Sequence, residues 1–95
     1  MTEKVFSREE IVQRLRDIVG WNYNEKEIVR NYEFDDFLQA IKFVNQVALR
    51  SQDTNHHPAI LISDNAVQLS VYSHTAKGIT QKDFDLALEI NKLVA

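Results

Sequence analysis

The sequence predicts an α+β fold: a four-stranded antiparallel sheet with three helices packed on one face, in the order α-β-β-α-β-β-α. Three segments repeat apolar residues at helical spacing, and the first and last follow a recognisable helix start. Between them lie two pairs of strand-like runs, each pair joined by a short polar turn, so the partners must run antiparallel. Antiparallel pairing requires only one buried face, which leaves the other free to carry chemistry.

The first helix is written in "SREEIVQRLRDIVG", with Ser7 as N-cap, Glu10 completing an S-x-x-E capping box and Gly20 as the stop. Ile11, Leu15, Ile18 and Val19 share one face with Val12 at its edge, and Glu10 and Arg14 are spaced as an exposed i,i+4 pair. In "WNYNEKEIVRNYEF" the helical period breaks, and Ile28, Arg30, Tyr32 and Phe34 alternate with Val29, Asn31 and Glu33; this is a hairpin turning around Asn24 to Lys26. From Asp35 the period returns: Phe37, Ala40, Ile41, Val44, Val47 and Ala48 mark a long helix ending near Arg50 or Ser51. "AILIS" and "AVQLSVYSH" form the second hairpin around Asp64-Asn65. The last helix opens after Gly78 with Thr80 as N-cap and Asp83 at N3, and carries Phe84, Leu86, Ala87, Leu88, Ile90, Leu93 and Val94. These cover more than one face, so the helix is expected to bury a second surface against another subunit.

The second hairpin bears on the three histidines. If Asp64-Asn65 is a two-residue turn, Ser63 pairs with Ala66, Ile62 with Val67 and Ile60 with Leu69, which puts the last four on one core-facing side. Extended further, this register brings His74 opposite Asn55, beside the "NHHP" tetrapeptide that holds His56, His57 and the only proline. Pro58 forces His57 into an extended conformation and separates the segment from the preceding helix. Three imidazoles therefore converge. They suit proton transfer near neutral pH, since the ordinary histidine pKa is about 6.5. Three histidines can also bind zinc, but an adjacent pair does not easily present both rings to one ion, and no carboxylate has ligand spacing beside them. The expectation is metal-free acid/base chemistry on a small, neutral or ring-shaped substrate.

Composition narrows the classes further. Ninety-five residues make one domain, expected over 1–95, with no linker or repeat. Absence of cysteine excludes disulfides, thiolate catalysis and cysteine zinc sites. A net charge of −3 without a Lys/Arg cluster argues against direct nucleic-acid binding. No apolar run reaches membrane-span length and "MTEKVFSREE" lacks the apolar core of a signal peptide, so a cytoplasmic protein is expected.

Three pieces in order and at matching spacing, "YEFDDFLQAIKFV", "NHHP" and "SHTAKGITQKDFDLA", resemble the pterin-4a-carbinolamine dehydratases, also called dimerisation cofactors of a homeodomain transcription factor. The similarity runs from about Trp21 to the last helix. It implies the same α+β fold, and removal of water from 4a-hydroxytetrahydropterin to give quinonoid dihydropterin, with no cofactor. His56 and His74 look like the acid/base residues, and His57, Pro58 and Asp83 like substrate-binding ones, though Asp83 serves equally as a helix cap. A homodimer or homotetramer is implied. The resemblance also implies a second role, since relatives act as a dimerisation cofactor or assist assembly of the carboxysomal carbon-fixing enzyme. This chain departs from the family at Gln52, where an acidic residue is common, at Asp64, where an aromatic is frequent, and at Ile60, where vertebrate members have tryptophan.

Overall fold

The computed structural model describes residues 3–94, so residues 1, 2 and 95 of the expected domain lie outside the described residues. The elements follow the expected order: α1 (Arg8–Leu15), β1 (Asn22–Tyr23), β2 (Ile28–Glu33), α2 (Phe37–Thr54), β3 (Ala59–Ser63), β4 (Ala66–Val71) and α3 (Gln81–Asn91). All strand pairs are antiparallel, in the spatial order β1-β2-β4-β3. On β2 and β4 the buried Ile28, Tyr32, Val67, Leu69 and Val71 alternate with exposed Asn31, Glu33 and Gln68, as one-sided coverage requires. Phe43 of α2 packs its ring on Tyr32 at 4.5 Å and on Phe34 at 5.1 Å, which ties that helix to the sheet.

The β3–β4 hairpin has the predicted register, Ser63 facing Ala66, Ile62 facing Val67 and Ile60 facing Leu69. Asp64 takes the left-handed φ of 55° in the turn, a conformation that Asp tolerates better than most residues. Asn65 clasps Phe34, its carbonyl accepting from Phe34 N and its side-chain amide donating to Phe34 O. The first hairpin turns where expected, with Asn24 Oδ1 accepting from Lys26 N and Glu27 N.

Several boundaries and faces differ from expectation. α1 stops at Leu15, and Asp17 and Ile18 donate to carbonyls three residues back before Gly20 turns the chain at φ 87°. That tightening buries Ile18 and turns Val19 out, 77% exposed. Glu10 does not pair with Arg14. The capping box aims its carboxylate back at Ser7 N (2.9 Å), where Lys4 reaches it at 2.7 Å, while the Arg14 guanidinium lies over Phe6.

α2 runs on to Thr54, since no breaker intervenes before Asn55, and the Ser51 and Thr54 hydroxyls bond carbonyls of the preceding turn. Its buried stripe is Ala40, Phe43, Val47 and Ser51, so Phe43 faces the core while Ala48 and Phe37 lie outward. β3 is an edge strand and leaves Ile60 and Ile62 only partly covered.

α3 ends at Asn91, with Leu93 and Val94 beyond it. Its Phe84, Leu86, Ala87 and Ile90 are fully buried within this chain, with α2 packed on the helix and Phe6 on Phe84, while Leu88 on the same helix is left exposed. Exposed apolar side chains stand at Leu38 and Leu49 on α2, at Leu61 on β3 and at Leu88 on α3. Among the described residues no helix is long and apolar enough to cross a membrane.

Candidate active site

Two chain reversals at one end of the sheet build the site. The first ends α2: Asn55 adopts the left-handed conformation, φ 55°, with its N–H donating to Gln52 O and His56 N–H donating to Ser51 O. This paired arrangement is a Schellman stop, followed shortly by a proline that cannot resume the helix. Asn55 thus turns the chain and Pro58 leads it into β3, leaving His56 and His57 between two rigid elements. The second reversal follows β4, where Ser73 and Gly78 exchange backbone hydrogen bonds and close a loop that starts with His74.

One cavity of about 340 Å³ lies between these reversals, lined by Asn55, His56, His57, Tyr72, Ser73, His74, Thr75, Lys82 and Glu3. That volume falls within the range of small-molecule sites, roughly 300–1,000 Å³. The sequence register therefore located the convergence of the histidines, though the cavity sits at the sheet's end and not over the middle of its open face. A depression of about 380 Å³ does lie over that face, but Tyr32 and Glu33 are its only ionisable lining residues and it gathers no acid/base set.

Each of the first two histidines has a definite partner. His56 Nε2–H donates to Asp83 Oδ1 at 2.7 Å, and the ring is largely buried. Asp83 is completely buried, and its Oδ2 accepts from Ser73 Oγ at 2.7 Å and Thr80 N at 2.8 Å. Ser73 Oγ also lies 2.8 Å from Thr80 Oγ1. With Nε2 carrying the proton given to Asp83, Nδ1 is the lone-pair nitrogen of His56. His57, exposed, donates from Nε2 to Gln52 Oε1 at 3.2 Å. His74 is also exposed, and its ring packs nearly perpendicular to Tyr72, with centroids 5.0 Å apart.

Two residues expected to bind substrate, Asp83 and Pro58, are not among the residues that line the cavity. Asp83 lies behind His56, its oxygens occupied by three donors, so it combines the cap and the site in one carboxylate. Pro58 is not among the cavity-lining residues and acts on the backbone. Sequence reasoning missed Ser73, Thr80, Tyr72, Lys82 and Glu3. Ser73 and Tyr72 adjoin His74, and a polar residue on the buried side of β4 was the available signal. At the rim Lys82 pairs with Glu3 at 2.8 Å, an exposed hydrogen bond that holds the Glu3 carboxyl below its ordinary range. Among the described residues no three His, Asp or Glu side chains are grouped so as to hold a metal ion.

Fold and site together define a small α+β protein whose cavity is walled by imidazoles, one of them backed by a buried carboxylate. The chain belongs to the pterin-4α-carbinolamine dehydratase family, whose model matches residues 4–93. A relative from Acidobacterium capsulatum, provisionally named a pterin-4-alpha-carbinolamine dehydratase, is 43% identical over 84 residues, 88% of this chain and 91% of its own. One of the same provisional name from Sulfolobus acidocaldarius is 34% identical, over 88% of this chain and 92% of its own. A Brucella melitensis protein described as a transcriptional coactivator/pterin dehydratase has a solved structure that superposes with a TM-score of 0.91 at 28% identity, covering 97% of this chain and all of that one. A pterin dehydratase-like protein, described as a RuBisCO assembly factor in the alpha-carboxysome, shares the fold with a TM-score of 0.65 at 17% identity, over 79% of this chain and 87% of that one.

Proposed function

We propose that this chain dehydrates 4a-hydroxytetrahydropterin to quinonoid dihydropterin by histidine acid/base catalysis and so recycles the tetrahydropterin. The observation that carries this reading is the buried Asp83–His56 hydrogen bond beside His74 in one cavity. His56 Nδ1 accepts the N5 proton, and the N5–H electron pair becomes the C4a=N5 double bond. His74, protonated, donates to the C4a hydroxyl, which departs as water with the electrons of the C–O bond. Both rings then reset by proton exchange with solvent. His57, fixed by Gln52, orients the substrate; Pro58 sets the backbone that presents His57, and Asp83 holds the tautomer of His56. The enzyme is a hydro-lyase acting in the cytoplasm as a homodimer or homotetramer.

Assay of chemically generated 4a-hydroxytetrahydropterin by ultraviolet absorbance tests the proposal. Wild type should exceed the uncatalysed rate, and His56→Ala and His74→Ala should each lose about 10²-fold or more of that gain. A wild type no faster than the blank refutes it. The second reading, a protein-assembly factor or dimerisation cofactor, is favoured by the apolar Leu38 and Leu49, about 70% and 68% exposed on α2. Such a protein would be indifferent to His74→Ala and would lose its partner on Leu49→Glu.

A further inference from the structure

The three histidines are not held alike. His56 is fixed by Asp83 and His57 by Gln52, each through Nε2. Among the described residues no group hydrogen-bonds either ring nitrogen of His74. Its recorded partner is an aromatic ring: Tyr72, half-buried, lines the same cavity and meets the imidazole edge to face, 5.0 Å between centroids at 75°. Tyr72 is anchored in turn. It follows directly on β4, between the buried Val71 and Ser73, and the Lys26 ammonium of the β1–β2 turn lies 5.8 Å from its ring centroid.

A hydrogen-bonded partner would commit one ring nitrogen, as Asp83 does for His56. Edge-to-face packing restrains the ring plane and commits neither. We propose that Tyr72 is the positioning residue for His74, holding its imidazole in place while leaving both nitrogens for substrate and for proton exchange with solvent. This rests on the dehydratase reading for its catalytic consequence, but the contact is testable without turnover. An exposed acid without such support would sample many rotamers, and few would reach the leaving hydroxyl.

The experiment compares Tyr72→Phe, Tyr72→Leu, Tyr72→Ala, His74→Ala and Tyr72→Ala/His74→Ala, with kcat and KM for dehydration and assigned histidine ring resonances by NMR. Tyr72→Phe keeps the ring and should stay within about twofold of wild type, whereas Tyr72→Leu and Tyr72→Ala should lose about 3- to 10-fold in kcat with KM little changed. The loss should vanish in the His74→Ala background, since the ring then has nothing to position. In the Leu and Ala variants the His74 ring signals should shift while those of His56 and His57 stay put. An undiminished loss in the His74→Ala background, or unmoved His74 signals, overturns the proposal. If wild type does not exceed the blank, the dehydratase reading has failed instead. The spectra then decide alone: shifted His74 signals support Tyr72 as its positioning residue, and unmoved ones refute it. Tyr72→Leu preserves apolar volume, so at least one ringless variant should fold.

Discussion

At the scale of single residues, Asp83 decides most. Its carboxylate has no exposed surface and takes hydrogen bonds from His56, Ser73 and Thr80, so one side chain caps α3 and sets a ring in the site. Asp83→Asn keeps the shape but loses one acceptor. It should lower kcat by about 10²-fold if the His56 tautomer matters as in other histidine–carboxylate pairs. Asp83→Ala should also cost about 3 kcal/mol in chemical denaturation, because buried donors lose their acceptor. Equal stability of Asp83→Ala and wild type would show that the network bears no load. The departures from the family pattern have places too. Gln52 is the acceptor for His57, and Asp64 sits in the hairpin turn at the far end of β3 from the histidines.

At the scale of elements, the start of α1 is held by charge and the start of α3 by close packing. Lys4 and the Ser7 N–H lower the Glu10 carboxyl from an ordinary 4.5 to about 2. Because the folded value is the lower one, this stabilisation is complete above about pH 4.5 and is lost as pH falls through about 2. Protection of the amides at residues 7–11, their exchange relative to the intrinsic rate at each pH, should therefore fall over that interval, and Glu10→Gln should remove the acid-dependent change. Before α3, a Cβ on Gly78 would overlap Val5 Cγ1 while standing 3.5 Å from Val5 Cβ. Gly78→Ala should lower Tm by several degrees, roughly 4–8 °C per kcal/mol lost, and Val5→Ala should restore much of it. No rescue would mean that the strain is elsewhere.

At the scale of the whole molecule, apolar residues divide into those this chain covers and those it leaves open. Leu86 and Ile90 are core residues, at 1% and 0% exposure. Leu86→Glu places an unpaired charge there and should unfold the protein, which circular dichroism would read directly. Leu38→Glu and Leu49→Glu touch no core packing and should leave the fold intact. If the proposed oligomer uses α2, sedimentation should show a smaller species for both; an unchanged mass would place the subunit contact elsewhere.

The sequence by itself determined the order of elements, the caps at Ser7 and Thr80, both hairpin turns and the register that carries His74 back towards His56. These depend on residues a few positions apart, where turn chemistry and strand alternation leave one arrangement. It also carried the family resemblance. Tertiary structure decided which stripe of α2 is buried, where α1 ends, and which face of α3 its own chain covers, since an apolar residue records a tendency to be buried but not the surface that buries it. It alone joined Asp83 to His56 across 27 residues and to Ser73 across 10. A carboxylate at a helix start satisfies its local role as a cap whether or not an imidazole waits beyond it. Only packing of α3 against the end of α2 and the exit of β4 brings that ring within 2.7 Å.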